Sequence, residues 1–190
     1  MLTPSAVPSG TLAHVAQPEL PADGGLVLRP WTAADAVALV SLYADPAVQH
    51  WHSFAVDTED EARAVIGRWR GRWLTETGAH WAVTTGDGSV VGRVGLLSMS
   101  LQRGTGECLY STMPAVRGQG VAVRAVKALC QWTFGIGLHR IELRHSLKNP
   151  ASCRVAAKAG FAAEGIERDG ERHADGWHDM HVHARIATDG

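Results

Sequence analysis

The sequence has no excess of either charge, no long apolar run and no cysteine framework, and each absence removes a class of function. Its 18 Lys and Arg against 19 Asp and Glu leave a formal net charge of −1. No global field therefore draws the chain to nucleic acid or to a membrane surface, and neither is an expected partner. Cys108, Cys130 and Cys153 are odd in number and contain no Cys-x-x-Cys pair. That argues against a disulfide scaffold and fits a reducing compartment, so the expected location is cytoplasmic. Residues Met1 to Gly25 include four prolines and have no basic start and no continuous apolar stretch. They are expected to form a flexible tail, neither a signal peptide nor a membrane span.

Two motifs are also missing. There is no His-Glu-x-x-His, and Val123 stands where the third glycine of a dinucleotide fingerprint beginning at Gly118 and Gly120 belongs. His173, His178, His181 and His183 lie close together near the end of the chain. Alternation puts His181 and His183 on one face with Asp179, opposite Met180, Val182 and Ala184, which is the pattern of a half-exposed strand. No metal is expected. Cys153 reads as a small buried residue.

What is present is one domain, placed at 26–187. Leu26 to Pro30 reads as a strand, followed by an Ala-rich helix to Tyr43 that Thr32 can cap. Thr58 followed by Glu59, Asp60 and Glu61 starts a second helix, running to about Glu76. His80 to Thr85 and Ser89 to Ser98 form a hairpin about Gly86-Asp87-Gly88. Gly106 to Met113 is a fourth strand. Val121 to Phe134 buries Ala122, Ala125, Val126 and Leu129 on one face, and Arg140 to Ser146 alternates as a fifth strand. Asn149 can cap a short helix that Gly160 ends, and Phe161 to Arg168 pairs with His178 to Ile186. The stretch Met180, Val182, Ala184 and Ile186 offers an apolar strand face for core packing or for a homodimer.

The chemistry concentrates at Arg117-Gly118-Gln119-Gly120-Val121-Ala122, between the fourth strand and the helix after it. Two glycines at a helix mouth leave backbone N–H groups unpaired and let an anion approach closely. With Met113 and Pro114 in register ahead of it, this block resembles the pyrophosphate-binding motif of the GNAT acyl-CoA N-acyltransferases. The block from Asn149-Pro150-Ala151-Ser152 to Gly160-Phe161, followed by Glu164-Gly165, resembles the ribosomal-protein N-acetyltransferase branch, RimJ/RimL-like.

The resemblance, over about Leu28 to Ala184, implies an α/β fold: a mixed central sheet with splayed fourth and fifth strands, flanked by helices. It implies acetyl-CoA as cosubstrate, without metal. It places the cosubstrate against Met113, Arg117, Gly118, Gln119, Gly120, Val121, Ala122, Asn149 and Ser152, with the pantetheine arm passing Leu109 to Met113. Glu107 is the expected base or amine anchor, His145 the second titratable candidate, and Ser152 the donor to the departing thiolate. His50 and Trp51, with His52 beside them, occupy the acceptor loop. The acceptor is a primary amine, either a protein N-terminal α-amine or a small molecule such as an antibiotic, polyamine or amino acid. A catalytically silent acyl-CoA-binding regulator is the reading from another class.

Overall fold

The computed structural model describes residues 4–51 and 54–189. Eight strands form one mixed sheet: β1 (Leu20–Ala22), β2 (Leu26–Pro30), β3 (Ala79–Thr84), β4 (Val90–Ser100), β5 (Thr105–Thr112), β6 (Arg140–Ser146), β7 (Ala162–His173) and β8 (Gly176–Ile186), in the order β1-β2-β3-β4-β5-β6-β8-β7. Five helices join them: α1 (Ala36–Tyr43), α2 (Pro46–Trp51), α3 (Glu59–Leu74), α4 (Val121–Gly135) and α5 (Pro150–Lys158).

Local chemistry accounts for the helix ends. Thr58 accepts from the Glu61 N–H while the Glu61 carboxylate accepts from the Thr58 N–H, closing a capping box at α3. Asn149 Oδ1 accepts from the Ser152 N–H at 3.1 Å to cap α5, and Pro150 takes the first helical position. The sequence reading did not anticipate α2. Its signal was Asp45-Pro46: the Asp45 carboxylate accepts from the N–H groups of Ala47 and Val48, both at 3.1 Å, and Pro46 supplies a helical φ.

Alternation along the strands divides the interior into two faces. Ala79, Trp81 and Val83 of β3 join Cys108, Ile141 and Leu143 in the core covered by α4 and α5. On the other face α1, α2 and α3 bury Leu39, Leu42, Val48 and Ile66. There His80 of β3 stacks on Trp69, with ring centroids 4.8 Å apart. The histidines of β8 depart from the half-exposed pattern expected of them. Both His183 and Ala184, adjacent and opposite-facing, are 2% exposed, because β8 lies between β6 and β7 and α5 covers one of its faces.

Residues 4–25, expected as a free tail, are instead laid onto the domain, and β1 extends the sheet. Val7, Leu12 and Leu20 enter the larger core. The Val7 N–H donates to Leu101 O at 3.0 Å. The indoles of Trp73 and Trp81 donate to Val15 O and Pro18 O at 3.0 and 2.7 Å. Glu76, just past α3, accepts from the N–H groups of Gly10, Leu12 and Ala13 at 2.7, 2.7 and 3.2 Å. The tail was missed because its apolar residues follow no helical or strand period and its partners lie far along the chain.

Glu76→Ala should therefore cost roughly 1–2 kcal/mol in urea unfolding, since three donors lose one acceptor. Burial alone raises the Glu76 pKa, but the three N–H donors outweigh it and hold the carboxyl below its ordinary value. Its stabilisation is complete above the pKa of an unfolded glutamate and is lost as pH falls through the lower folded value. Amide protection factors at residues 10, 12 and 13, taken relative to the intrinsic exchange rate, should fall in acid and, in the Glu76→Ala protein, at neutral pH as well.

Candidate active site

Parallel pairing between β5 and β6 is confined to Thr105–Arg140, Gly106–Ile141 and Glu107–Glu142. Beyond Glu107, β5 keeps its pairing with β4 as far as Thr112, while β6 keeps its pairing with β8 as far as Ser146. The two strands separate, and a cleft of about 640 Å³ opens between them. It runs through the sheet, with the mouth of α4 and the first turn of α5 on one side and Trp51, Phe54, Arg93 and Glu107 on the other.

The glycine block reaches that cleft. Gly118 and Gly120 hold φ of +77° and +76°, a left-handed conformation that a side chain disfavours, and a Cβ at either would meet nothing within 4 Å. The space in front of them is open. Gly120 is the N-cap of α4, without a side-chain cap, so the first N–H groups of the helix have no intrahelical acceptor and face this space with the positive end of the dipole. Gly118, Gly120, Val121 and Ala122 line the cleft.

The other residues expected at the cosubstrate divide. Arg117 borders the cleft, but its Nη2 donates to Asp45 Oδ1 at 2.5 Å and to Thr112 O at 3.4 Å, which ties the glycine turn to α2. Its guanidinium holds the Asp45 carboxyl below its ordinary value. Gln119 turns away, donating from Nε2 to Ala115 O at 2.9 Å. Met113 packs on the smaller core, and its N–H is taken by Val91 O at 2.9 Å. Asn149 and Ser152 both line the cleft.

Ser152 is 7% exposed, and its Oγ accepts from Tyr110 OH at 2.8 Å. Tyr110 was not singled out from the sequence. Its hydroxyl comes from β5, where Tyr110 shares a face with Cys108. The available signal was one polar tip on a core-facing side of that strand. Burial pushes the phenol up to about 12, against the lowering effect of Ser152. It is therefore a donor at any working pH, which leaves the Ser152 O–H free to point elsewhere.

Glu107 lies at the point where the strands part. Burial raises its pKa, Arg144 pulls it down with Nη1 3.8 Å from Oε1, and Glu171, Glu142 and Glu167 push it up. The net direction is upward. His145 is buried, and both of its ring nitrogens are engaged: Nδ1 at 2.9 Å from Ser146 O and Nε2 at 3.1 Å from His183 Nε2. Burial also lowers its pKa. It has no nitrogen free for an incoming amine.

On the acceptor side Trp51 lines the cleft and stands edge-on to His173, with centroids 5.9 Å apart. His50 packs edge-on against Trp51 at 4.3 Å and is exposed outside the cleft lining. His52 falls outside the described residues. Arg93, 3% exposed, lies over the rings of Tyr43, Trp69 and Phe54 at 5.2, 5.3 and 5.9 Å, so aromatic faces support a buried cation.

A family model described as the acetyltransferase (GNAT) domain matches residues 25–162. The chain belongs to the GNAT acetyltransferase family. It is 31% identical over 137 residues to "Probable N-acetyltransferase YjcK" of Bacillus subtilis (strain 168), covering 70% of this chain and 75% of that one. It is 27% identical over 139 residues to the ribosomal-protein-serine acetyltransferase of Escherichia coli (strain K12), covering 72% and 76%. Among solved structures it resembles RimL, a ribosomal L7/L12 alpha-N-protein acetyltransferase in complex with coenzyme A, at a TM-score of 0.82 and 19% identity over 89% of this chain and 98% of that one. The mixed sheet and flanking helices are those of the GNAT fold, and this acetyltransferase domain is where the cleft lies. Among the described residues no helix is long and apolar enough to cross a membrane.

The positive φ at Gly120 sets a measurable cost. Gly120→Ala should fold, since its Cβ meets nothing, yet lose about 1–2 kcal/mol in denaturant unfolding through left-handed backbone strain.

Proposed function

We propose that this acetyltransferase moves an acetyl group from acetyl-CoA directly to a primary amine, and that the amine is a protein N-terminal α-amine. The observation that carries the reading is the parting of β5 and β6 just beyond Glu107, which opens one cleft to both faces of the sheet. The residues present fit the cosubstrate. Open left-handed glycines and unpaired N–H groups at α4 suit a pyrophosphate, while the backbone of β5 beyond Glu107 offers hydrogen bonds that β6 does not use.

Gly118 to Ala122 hold the pyrophosphate, and Arg117 pairs with a phosphate oxygen on leaving Asp45. Glu107 accepts the ammonium proton. An α-amine titrates near 8 against a lysine near 10, and the burial that raises Glu107 narrows the gap between acid and base. Ser152 supports the departing thiolate, held in place by Tyr110. Burial makes the Tyr110 phenol a weaker acid than a free thiol. Complete proton transfer from Tyr110 would therefore run uphill, and the pair works by hydrogen bonding. Glu107 and Glu171 make the acceptor side attractive to a cation, with Trp51 as an apolar wall. The similarity to a ribosomal-protein-serine acetyltransferase of E. coli and to RimL, an alpha-N-protein acetyltransferase, supports a protein amine.

Thiol release from acetyl-CoA should be seen with peptides carrying free N-termini and be abolished when those termini are blocked. Release with small amines alone would overturn the choice of acceptor. Glu107→Gln should slow turnover by about 10²-fold or more near pH 7, and the deficit should shrink above about pH 8 as the neutral amine becomes abundant. A pH-independent loss would make Glu107 an anchor. Ser152→Ala should lower kcat about 10²-fold, and Tyr110→Phe, acting through Ser152, about tenfold, both with little change in KM for acetyl-CoA.

A further inference from the structure

Four donor side chains that the acyl-transfer reading leaves unused meet beneath the first turns of α5. Strand register puts His145 of β6 opposite His181 of β8, and Leu143 opposite His183, so all three imidazoles stand on the α5 face of the sheet. Cys153 descends from α5 onto them. His145 Nε2 is 3.1 Å from His183 Nε2, His183 Nε2 is 3.2 Å from His181 Nδ1, and His181 Nδ1 is 3.9 Å from Cys153 Sγ. One ligand atom from each of the four lies within 4.8 Å of all the others. Around a tetrahedral zinc ion, Zn–N near 2.0–2.1 Å and Zn–S near 2.3 Å put neighbouring ligand atoms about 3.3–3.6 Å apart.

Proton accounting favours a cation at the centre. The Ser146 carbonyl can only accept, so His145 Nδ1 carries its hydrogen and Nε2 presents a lone pair to the cluster. A backbone carbonyl on the distal nitrogen is also the contact that orients metal-bound histidines. His183 Nε2 faces two nitrogens at once, and a single hydrogen on it cannot be directed well at both. His183 is 2% exposed, and its Nδ1 has no partner among the described residues, so the polar contacts of its ring run only into this centre.

We propose that His145, Cys153, His181 and His183 form a tetrahedral site for a divalent transition ion of the zinc class. This reverses the expectation, from the alternation of the sequence, that these histidines hold no metal. As the metal–sulfur bond forms, the Cys153 thiol gives its proton to water. Three neutral imidazoles and one thiolate leave the site with a single positive charge. The ion ties α5 to β6 and β8 and thereby fixes Ser152, the residue next to Cys153, at the edge of the cleft.

The test uses untagged full-length protein stripped with a chelator, its fold followed separately by circular dichroism. Titration with Co²⁺ should saturate at one equivalent, with intense tetrahedral d–d bands and a thiolate-to-cobalt charge-transfer band, and one equivalent of Zn²⁺ should displace it. Cys153→Ser should abolish the charge-transfer band, and Zn²⁺ affinity should fall at least tenfold in that protein and in His181→Ala. If stripping unfolds the chain and Zn²⁺ restores it, the site is upheld. Weak octahedral spectra in the folded protein, or a charge-transfer band unchanged in Cys153→Ser, would overturn it. Acetyl transfer is not the readout, so failure here leaves the acyltransferase reading standing.

Discussion

Everything in the cleft depends on the point at which two parallel strands stop sharing hydrogen bonds. Strands pair only within about 4.8 Å of one another. β5 is committed along its length to β4, and β6 to β8, so the two cannot stay parallel once those neighbours diverge. Three residue pairs hold the junction together. Beyond it, polar backbone that would otherwise be spent inside the sheet becomes available to a ligand, and the sheet gains an opening without a break in its strand order.

The two sides of that opening differ in charge. The α4 mouth is positive through unpaired N–H groups, and Arg154 and Lys158 of α5 border the same cleft while Arg117 is held by Asp45. The opposite side is governed by Glu107, Arg144 and Glu171, with Arg93 sunk among aromatic rings. Under the proposed reaction the anionic donor and the amine acceptor would enter from opposite faces without crossing. Arg144 also reaches Glu167 on β7, so the acceptor side is braced from the outermost strand of the sheet.

Local grammar carried much of this in the sequence. Asn149 was legible as a cap because its side chain acts on its own neighbours, and Gly118 and Gly120 were legible because only backbone freedom explains such a pair at a helix start. Arg140 to Ser146 was found to the residue from simple alternation. The failures share one cause, which is distance along the chain. Tyr110 finds Ser152 on another element, Glu76 finds Gly10 to Ala13, and His145 finds His183, each through register or packing that no local pattern encodes. Met113 stands at the mouth of the glycine turn in sequence, but its side chain packs on the smaller core.

The docking of the N-terminal segment sets an order of events during synthesis. Val7 pairs with Leu101 and Leu12 with Glu76, so this segment can settle only after residues made much later have emerged, and such long loop closures are slow. Until it settles, the outer edge of β2 is an open template for another chain. The strand that finally covers it is only three residues long and has Pro21 at its centre. That strand cannot donate from its middle position and leaves little edge for a stranger to copy. The same segment thus completes the sheet and ends it.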